Sequence, residues 1–249
     1  MKQNRIKTSE NKTFSGQIKQ DRTGDCWLLE ALNSAIAKPE MLNRLEKQVT
    51  LDPNTGDYVV HLKGAKKVYR ITREDLDSYT TLAIGSEKVN AVEIAMDKYI
   101  RDDAYADRDD LFSIDEKFGF VHDVTIDGNW SKFLWNTLLG NNYTPGAIDP
   151  KTEDFNNPNR VYAMCLKEDG FSSVIAKSEK EDRYFFIERH AYSILGSDDK
   201  NIYLSNPWDS ADKITISRDE FAKLGCNIEF YEPPISSSQG LGKNQLQLY

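Results

Sequence analysis

From residue 26 onward, Trp27, Leu28, Ala31, Leu32, Ala35 and Ile36 recur at the i, i+3, i+4 spacing of one helix face, and Leu29 widens the stripe. The pattern predicts a mostly buried helix over 26–37, stopped by Pro39, because proline disfavours helical backbone in the residue before it. Residues 58–62 (YVVHL) and 67–71 (KVYRI) read as two strands joined by 63–66, after a turn at 52–57. They make a small hairpin beside the helix. Further on, Val89, Val92, Ala95, Met96 and Tyr99 share one side of a second amphipathic helix over 89–100, and a third helical candidate spans 131–139. The Asp-rich stretch 101–110 reads as a solvated loop, since its spacing does not match an EF-hand.

The second half changes character. Segments rich in Val, Ile, Tyr and Phe predict strands over 161–166, 172–176, 184–195, 201–205 and 213–216, with a turn at 196–200. Helices first and strands after is an α+β pattern. Gly140, Asn141, Asn142, Thr144, Pro145 and Gly146 form a breaker-rich passage suited to a boundary. The expected organisation is a helical lobe over 1–140, a β-rich lobe over 141–232, and an extended or flexible tail over 233–249.

Composition narrows the function classes. The chain has 249 residues, 39% of them hydrophobic, enough for one sizeable core or two lobes packed across a cleft. A net charge of -8 opposes non-specific attraction to nucleic acid or anionic membrane, so neither is an expected partner. No apolar run is long enough to span a bilayer, and the opening MKQNRIKTSENKTF holds no signal-peptide core. Cys26, Cys165 and Cys226 lie far apart and lack the close spacing of zinc ligands. No disulfide framework and no metal site are expected, and a reduced compartment is the easier fit. Cys165 and Cys226 read as buried fillers.

Cys26 is different, because it stands where a Gly24-Asp25 loop enters the first helix. The first-turn N–H groups lack helical partners and the dipole is positive there, which favours a thiolate over a thiol. Such a nucleophile needs a base, and the histidines are His61, His122 and His190. His61 and His122 have no obvious companion and read as ordinary hydrogen-bonded structure. His190 lies in the run FFIERHAYSIL, ahead of Asn206-Pro207-Trp208 at the end of the next predicted strand. Neighbouring antiparallel strands would set Asn206 beside His190, where its carboxamide oxygen accepts the imidazole N–H and fixes the tautomer. Trp208 would shield that bond from water, or simply pack in the core. Gln20, six residues before Cys26, would bring its amide to the place where negative oxygen develops. Taken singly each residue has an ordinary explanation; together they make an acyl-transfer site.

The string Gln20-Asp21-Arg22-Thr23-Gly24-Asp25-Cys26-Trp27-Leu28-Leu29 resembles the nucleophile motif of calpains, in the papain superfamily of cysteine proteases. His190-Ala191-Tyr192-Ser193-Ile194-Leu195-Gly196 is similar to the calpain histidine motif, and Asn206-Pro207-Trp208 to its asparagine motif. The order Cys, His, Asn also agrees. Residues 92–99 resemble the second helix of the nucleophile lobe, and 218–231 are weakly like the end of the β lobe, so the likeness covers most of 14–231. It implies a papain-like two-lobe α+β fold and an endopeptidase that cuts peptide bonds of a protein or peptide substrate through a thioester. By the same resemblance Cys26 is nucleophile, His190 base and acid, Asn206 its orienter, Gln20 oxyanion donor and Trp208 cover. Animal calpains carry an aspartate calcium ligand nine residues before the cysteine, and Gln17 stands there in this chain. No cofactor is therefore expected, and calcium dependence is weakened.

The chain is shorter than an animal calpain core and has no penta-EF-hand region, as in a compact microbial relative. The expected location is the cytoplasm or, for a module of a larger protein, outside the cell. Two other classes compete: an acyl transferase of transglutaminase type, and a peptide-binding module that keeps the cleft without the activity.

Overall fold

The computed structural model describes residues 13–14, 17–104, 131–140, 148–166 and 174–233. Helix α1 (Cys26–Ile36) is apolar on nearly every side, so it is buried rather than laid on a surface. Trp27, Leu28, Leu29, Ala31, Leu32 and Ala35 are all enclosed, and burial of each leucine contributes about 1.5–3 kcal/mol. Pro39 does more than end this helix. It opens α2 (Pro39–Gln48) from the first helical position, where its missing N–H has no helical partner to lose.

The chain then forms β1 (Val49–Leu51), β2 (Tyr58–Leu62) and β3 (Lys67–Ile71), an antiparallel sheet in the order β1-β2-β3. The predicted hairpin is its β2–β3 half, with His61 opposite Val68. Its tip caps a helix: the Lys63, Gly64 and Ala65 N–H groups donate to the carbonyls of Leu138 and Thr137 at the end of α5 (Ser131–Leu139). Only glycine fits at residue 64, since a Cβ there would lie 1.7 Å from the Asn136 carbonyl oxygen. Between hairpin and α5 come α3 (Arg73–Ser78), opened by a reciprocal Thr72–Asp75 capping box, and α4 (Glu87–Tyr99). A π-helical turn at Ile100–Ala104 continues α4 into what the sequence suggests is loop; the rest of 101–110 lies outside the described residues.

The later strands are β4 (Val161–Cys165), β5 (Ala176–Ser178), β6 (Ala191–Ser197), β7 (Asn201–Asn206), β8 (Asp209–Ser217) and β9 (Asn227–Tyr231). They form one antiparallel sheet in the order β5-β8-β7-β6-β4-β9, with α6 (Arg218–Lys223) inserted before β9. Strand alternation gives this sheet two faces. Val161, Ala163 and Ala191 point toward α1 and α5, in one core with α1's leucines. Tyr162, Met164, Tyr192 and Ile194 point the other way, into a second core with Leu204, Ile214 and Phe221. Two hydrogen bonds tie the helices on the first face: Ser131 Oγ donates to the Trp27 carbonyl at 3.0 Å, and Trp135 Nε1 to the Ala31 carbonyl at 2.9 Å.

The architecture is mixed α+β, as expected. Several boundaries differ. The segment over 184–195 is no single strand: Tyr184 makes an isolated bridge to Ala176, Arg189 adopts a left-handed φ of 52°, and β6 starts only at Ala191. His190 lies in the turn just before β6, and its carbonyl accepts the Leu166 N–H at 3.1 Å. The strand expected over 172–176 begins at Ala176, with 167–173 outside the described residues, and that over 213–216 runs back to Asp209, which pairs with Asn206 beyond a register shift. Most of the passage over 140–146 and the tail from 234 are likewise outside the described residues.

Candidate active site

The site is assembled from three stretches. α1 supplies Cys26 as its first residue; the turn before β6 supplies His190; the end of β7 supplies Asn206 at a register shift between Ser205 and Asn206. All three side chains are buried, Cys26 at 6% exposure. The backbone N–H of Ala191, the residue after His190, hydrogen-bonds toward the Cys26 sulfur. His190 Nε2 lies 2.9 Å from Asn206 Oδ1. With Nε2 so engaged, Nδ1 is the ring nitrogen left for a proton from elsewhere.

Asn206 is itself held on three sides. Its Oδ1 also accepts the Trp208 backbone N–H at 2.9 Å, and its Nδ2 donates to the Tyr184 hydroxyl at 2.6 Å. The imidazole is boxed between aromatic rings: Trp208 at 4.8 Å between centroids and Tyr192 at 5.0 Å, edge-on. Trp208 is only half-buried, so it forms the solvent side of this box. Tyr184 and Tyr192 escape a sequence reading. Their signal was the tyrosine content of a segment read as one continuous strand.

Gln20 joins the group through backbone as well as side chain. Its N–H donates to the Pro207 carbonyl at 2.7 Å, which locks the loop before α1 to the Asn206-Pro207-Trp208 turn. Its Nε2 donates one hydrogen to the Thr23 carbonyl at 2.6 Å, leaving the second hydrogen for another acceptor. Thr23 is anchored in turn by Thr81, at 3.0 Å to its carbonyl and 2.8 Å to its hydroxyl. The Gln20 side chain is buried, and its Oε1 has no hydrogen-bond partner among the described residues.

Electrostatics correct one sequence expectation. Burial pushes the Cys26 thiol well above its ordinary range, opposed by the Ala191 N–H and reinforced by Cys165, Asp25 and Glu30. A helix dipole contributes about 0.3–1 kcal/mol, less than the roughly 1.4 kcal/mol of a single pKa unit, so desolvation wins over position at the helix start. The resting sulfur is a thiol. Burial also lowers His190 to about 4, against the opposing Asn206 hydrogen bond, so the resting imidazole is neutral and able to accept a proton.

The other candidates are not brought in. His61 is exposed on β2, and His122 lies outside the described residues. All three cysteines are free thiols, and Cys165 and Cys226 are half-buried rather than enclosed fillers. Cys165 stands opposite Ala191 across β4 and β6, close enough that it helps to raise the Cys26 thiol. Gln17 is exposed, and among the described residues no group of three His, Cys, Asp or Glu side chains is placed to hold a metal ion. No described helix is long and apolar enough to cross a membrane. Compared with models of protein families, with curated proteins and with solved structures, the chain has no match.

Proposed function

We propose that this chain is a cysteine endopeptidase of the calpain-like kind, with a papain-like two-lobe fold and a protein or peptide as substrate. One observation carries the reading: the Cys26 thiol takes the N–H of Ala191, next to His190, whose Nε2 is held by Asn206. Support for the fold comes from α1 lying on one face of an antiparallel sheet, with the histidine just before β6 and the asparagine at the end of the neighbouring β7.

In this mechanism His190 Nδ1 takes the thiol proton as Cys26 Sγ bonds to the carbonyl carbon of the peptide. The carbonyl π electrons move onto oxygen, toward the backbone N–H of Cys26 and the free hydrogen of Gln20 Nε2. Collapse of that intermediate breaks the C–N bond, and the leaving amine departs with the proton from His190. Water then gives a proton to His190 and attacks the thioester; the C–S bond breaks, and the thiol regains its proton. Asn206 keeps the imidazole oriented throughout, while Trp208 and Tyr192 keep water from that hydrogen bond.

The test is hydrolysis of an unfolded protein substrate by the native chain and by Cys26→Ala, with and without an added primary amine. Loss of cleavage in the variant, with hydrolysed peptides as the products, is expected. Equal turnover by the two proteins would sink the proposal, and amine-linked products would reassign it to acyl transfer.

A further inference from the structure

One turn of α1 beyond Cys26 lies Glu30, with no exposed surface at all. Its carboxyl meets Ser193 on β6, three residues beyond His190 and equally enclosed. Oε2 makes short contacts with both the backbone N–H and the Oγ of Ser193, and the same Oγ lies 2.9 Å from the Glu30 carbonyl oxygen. Ser193 Oγ carries one hydrogen but faces two oxygens of Glu30. A proton on the carboxyl satisfies every contact: Oε2–H donates to Oγ, Oγ–H donates to the Glu30 carbonyl, and the Ser193 N–H donates to Oε2.

We propose that Glu30 is a positioning residue for this site: its protonated carboxyl, shared with Ser193, clamps α1 to β6 and so sets Cys26 against His190. The inference rests on the cysteine-hydrolase reading of those two residues. Apolar contacts between α1 and the sheet would tolerate sliding, whereas a carboxyl shared with one N–H and one hydroxyl has a direction and a length. The clamp spans one helical turn on one side and three residues on the other, so a shift of either element moves sulfur relative to imidazole.

The surroundings keep the carboxyl neutral. Burial raises Glu30 to about 8, opposed by the hydrogen bonds from Ser193 and from Asn33 Nδ2. The ionisable groups that feel it are Cys26 on its own helix and Tyr184 on the segment before β6; both would disfavour an added negative charge. Tyr192 of β6 faces the opposite core, and Glu30 forms no ion pair among the described residues. Once ionised, the carboxyl lacks the proton for Oγ and sets a charge near the thiol as it loses its own proton.

The experiment measures kcat for peptide hydrolysis from pH 6 to 9 in the native chain, Glu30→Gln and Glu30→Ala, with circular dichroism to show that each is folded. The native kcat is expected to decline above about pH 8, and Glu30→Gln, neutral at every pH and able to donate, is expected to keep most of the native kcat at pH 6.5 and to lack that decline. Glu30→Ala is expected to lose about 10²-fold in kcat with KM little changed, as for a displaced reacting group. A Glu30→Gln profile that superimposes on the native one, or a folded Glu30→Ala with native kcat, overturns the proposal. The rate of Cys26 alkylation over the same pH range is read in parallel on all three proteins. If hydrolysis proves independent of Cys26 the enzyme reading fails, yet a Glu30→Ala protein whose Cys26 loses its native alkylation rate still supports the clamp, and an unchanged rate overturns it.

Discussion

His190 and Asn206 hold one another across the β6–β7 hairpin, with Nε2 and Oδ1 2.9 Å apart and both side chains buried. The bond fixes which imidazole nitrogen is free and which way it faces. Asn206→Ala removes the acceptor and strands the buried ring, along with the Tyr184 hydroxyl that Asn206 contacts. We expect kcat to fall by about 10²-fold. Asn206→Asp, which keeps an acceptor at Oδ1, should retain more of the rate. Steady-state kinetics of the two variants check this, and a native kcat in Asn206→Ala would contradict it.

Two buried groups give the fold opposite dependences on pH. His190 is lowered from 6.5 to about 4, so between those values the unfolded chain binds more proton. Its contribution is complete above pH 6.5 and is lost as the pH falls through about 4, for a total of about 3 kcal/mol. Glu30 is raised from 4.5 to about 8, so its contribution is complete below pH 4.5 and lost as the pH rises through about 8. Urea unfolding at several pH values isolates each term. The stability difference between native and His190→Ala should shrink from pH 7 to pH 4, and that between native and Glu30→Gln should shrink from pH 5 to pH 8. Flat differences would mean that neither group is held as described.

Much of the layout was legible in the chain because two periodicities are strong. The stripe from Trp27 to Ile36 and the segment from Ser131 to Leu139 appear as helices within a residue of expectation, and the β2–β3 hairpin falls where its turn residues put it. Short elements were less visible. α2 was hidden because Pro39 reads only as the stop of α1 when it also starts the next helix, and α3 is set by a capping box between Thr72 and Asp75 rather than by an apolar stripe. β9 is a five-residue strand at the sheet edge whose burial follows no alternation, so a local reading could not separate it from loop.

The site shows the same division. Cys26, His190, Asn206, Gln20 and Trp208 carry recognisable local motifs, and the structure joins His190 to Asn206 and Trp208, Gln20 to Pro207, and Cys26 to Ala191. What the motifs do not carry is the environment. Enclosure of Cys26 reverses the charge state expected from its helix position, and the Glu30–Ser193 link depends on a helix and a strand that are 163 residues apart in the chain. Such effects arise from packing, which local sequence does not report.

The central claim is that Cys26 and His190 act as one chemical unit, and cysteine reactivity measures this directly. By exposure alone, half-buried Cys165 and Cys226 should react with iodoacetamide sooner than Cys26, which is 6% exposed and held as a thiol by burial. With His190 as base the order reverses: at pH 7, mass spectrometry should find Cys26 modified first in the native chain and lose that lead in His190→Ala. A native protein in which Cys226 reacts as fast as Cys26, with no effect of removing His190, would contradict the account.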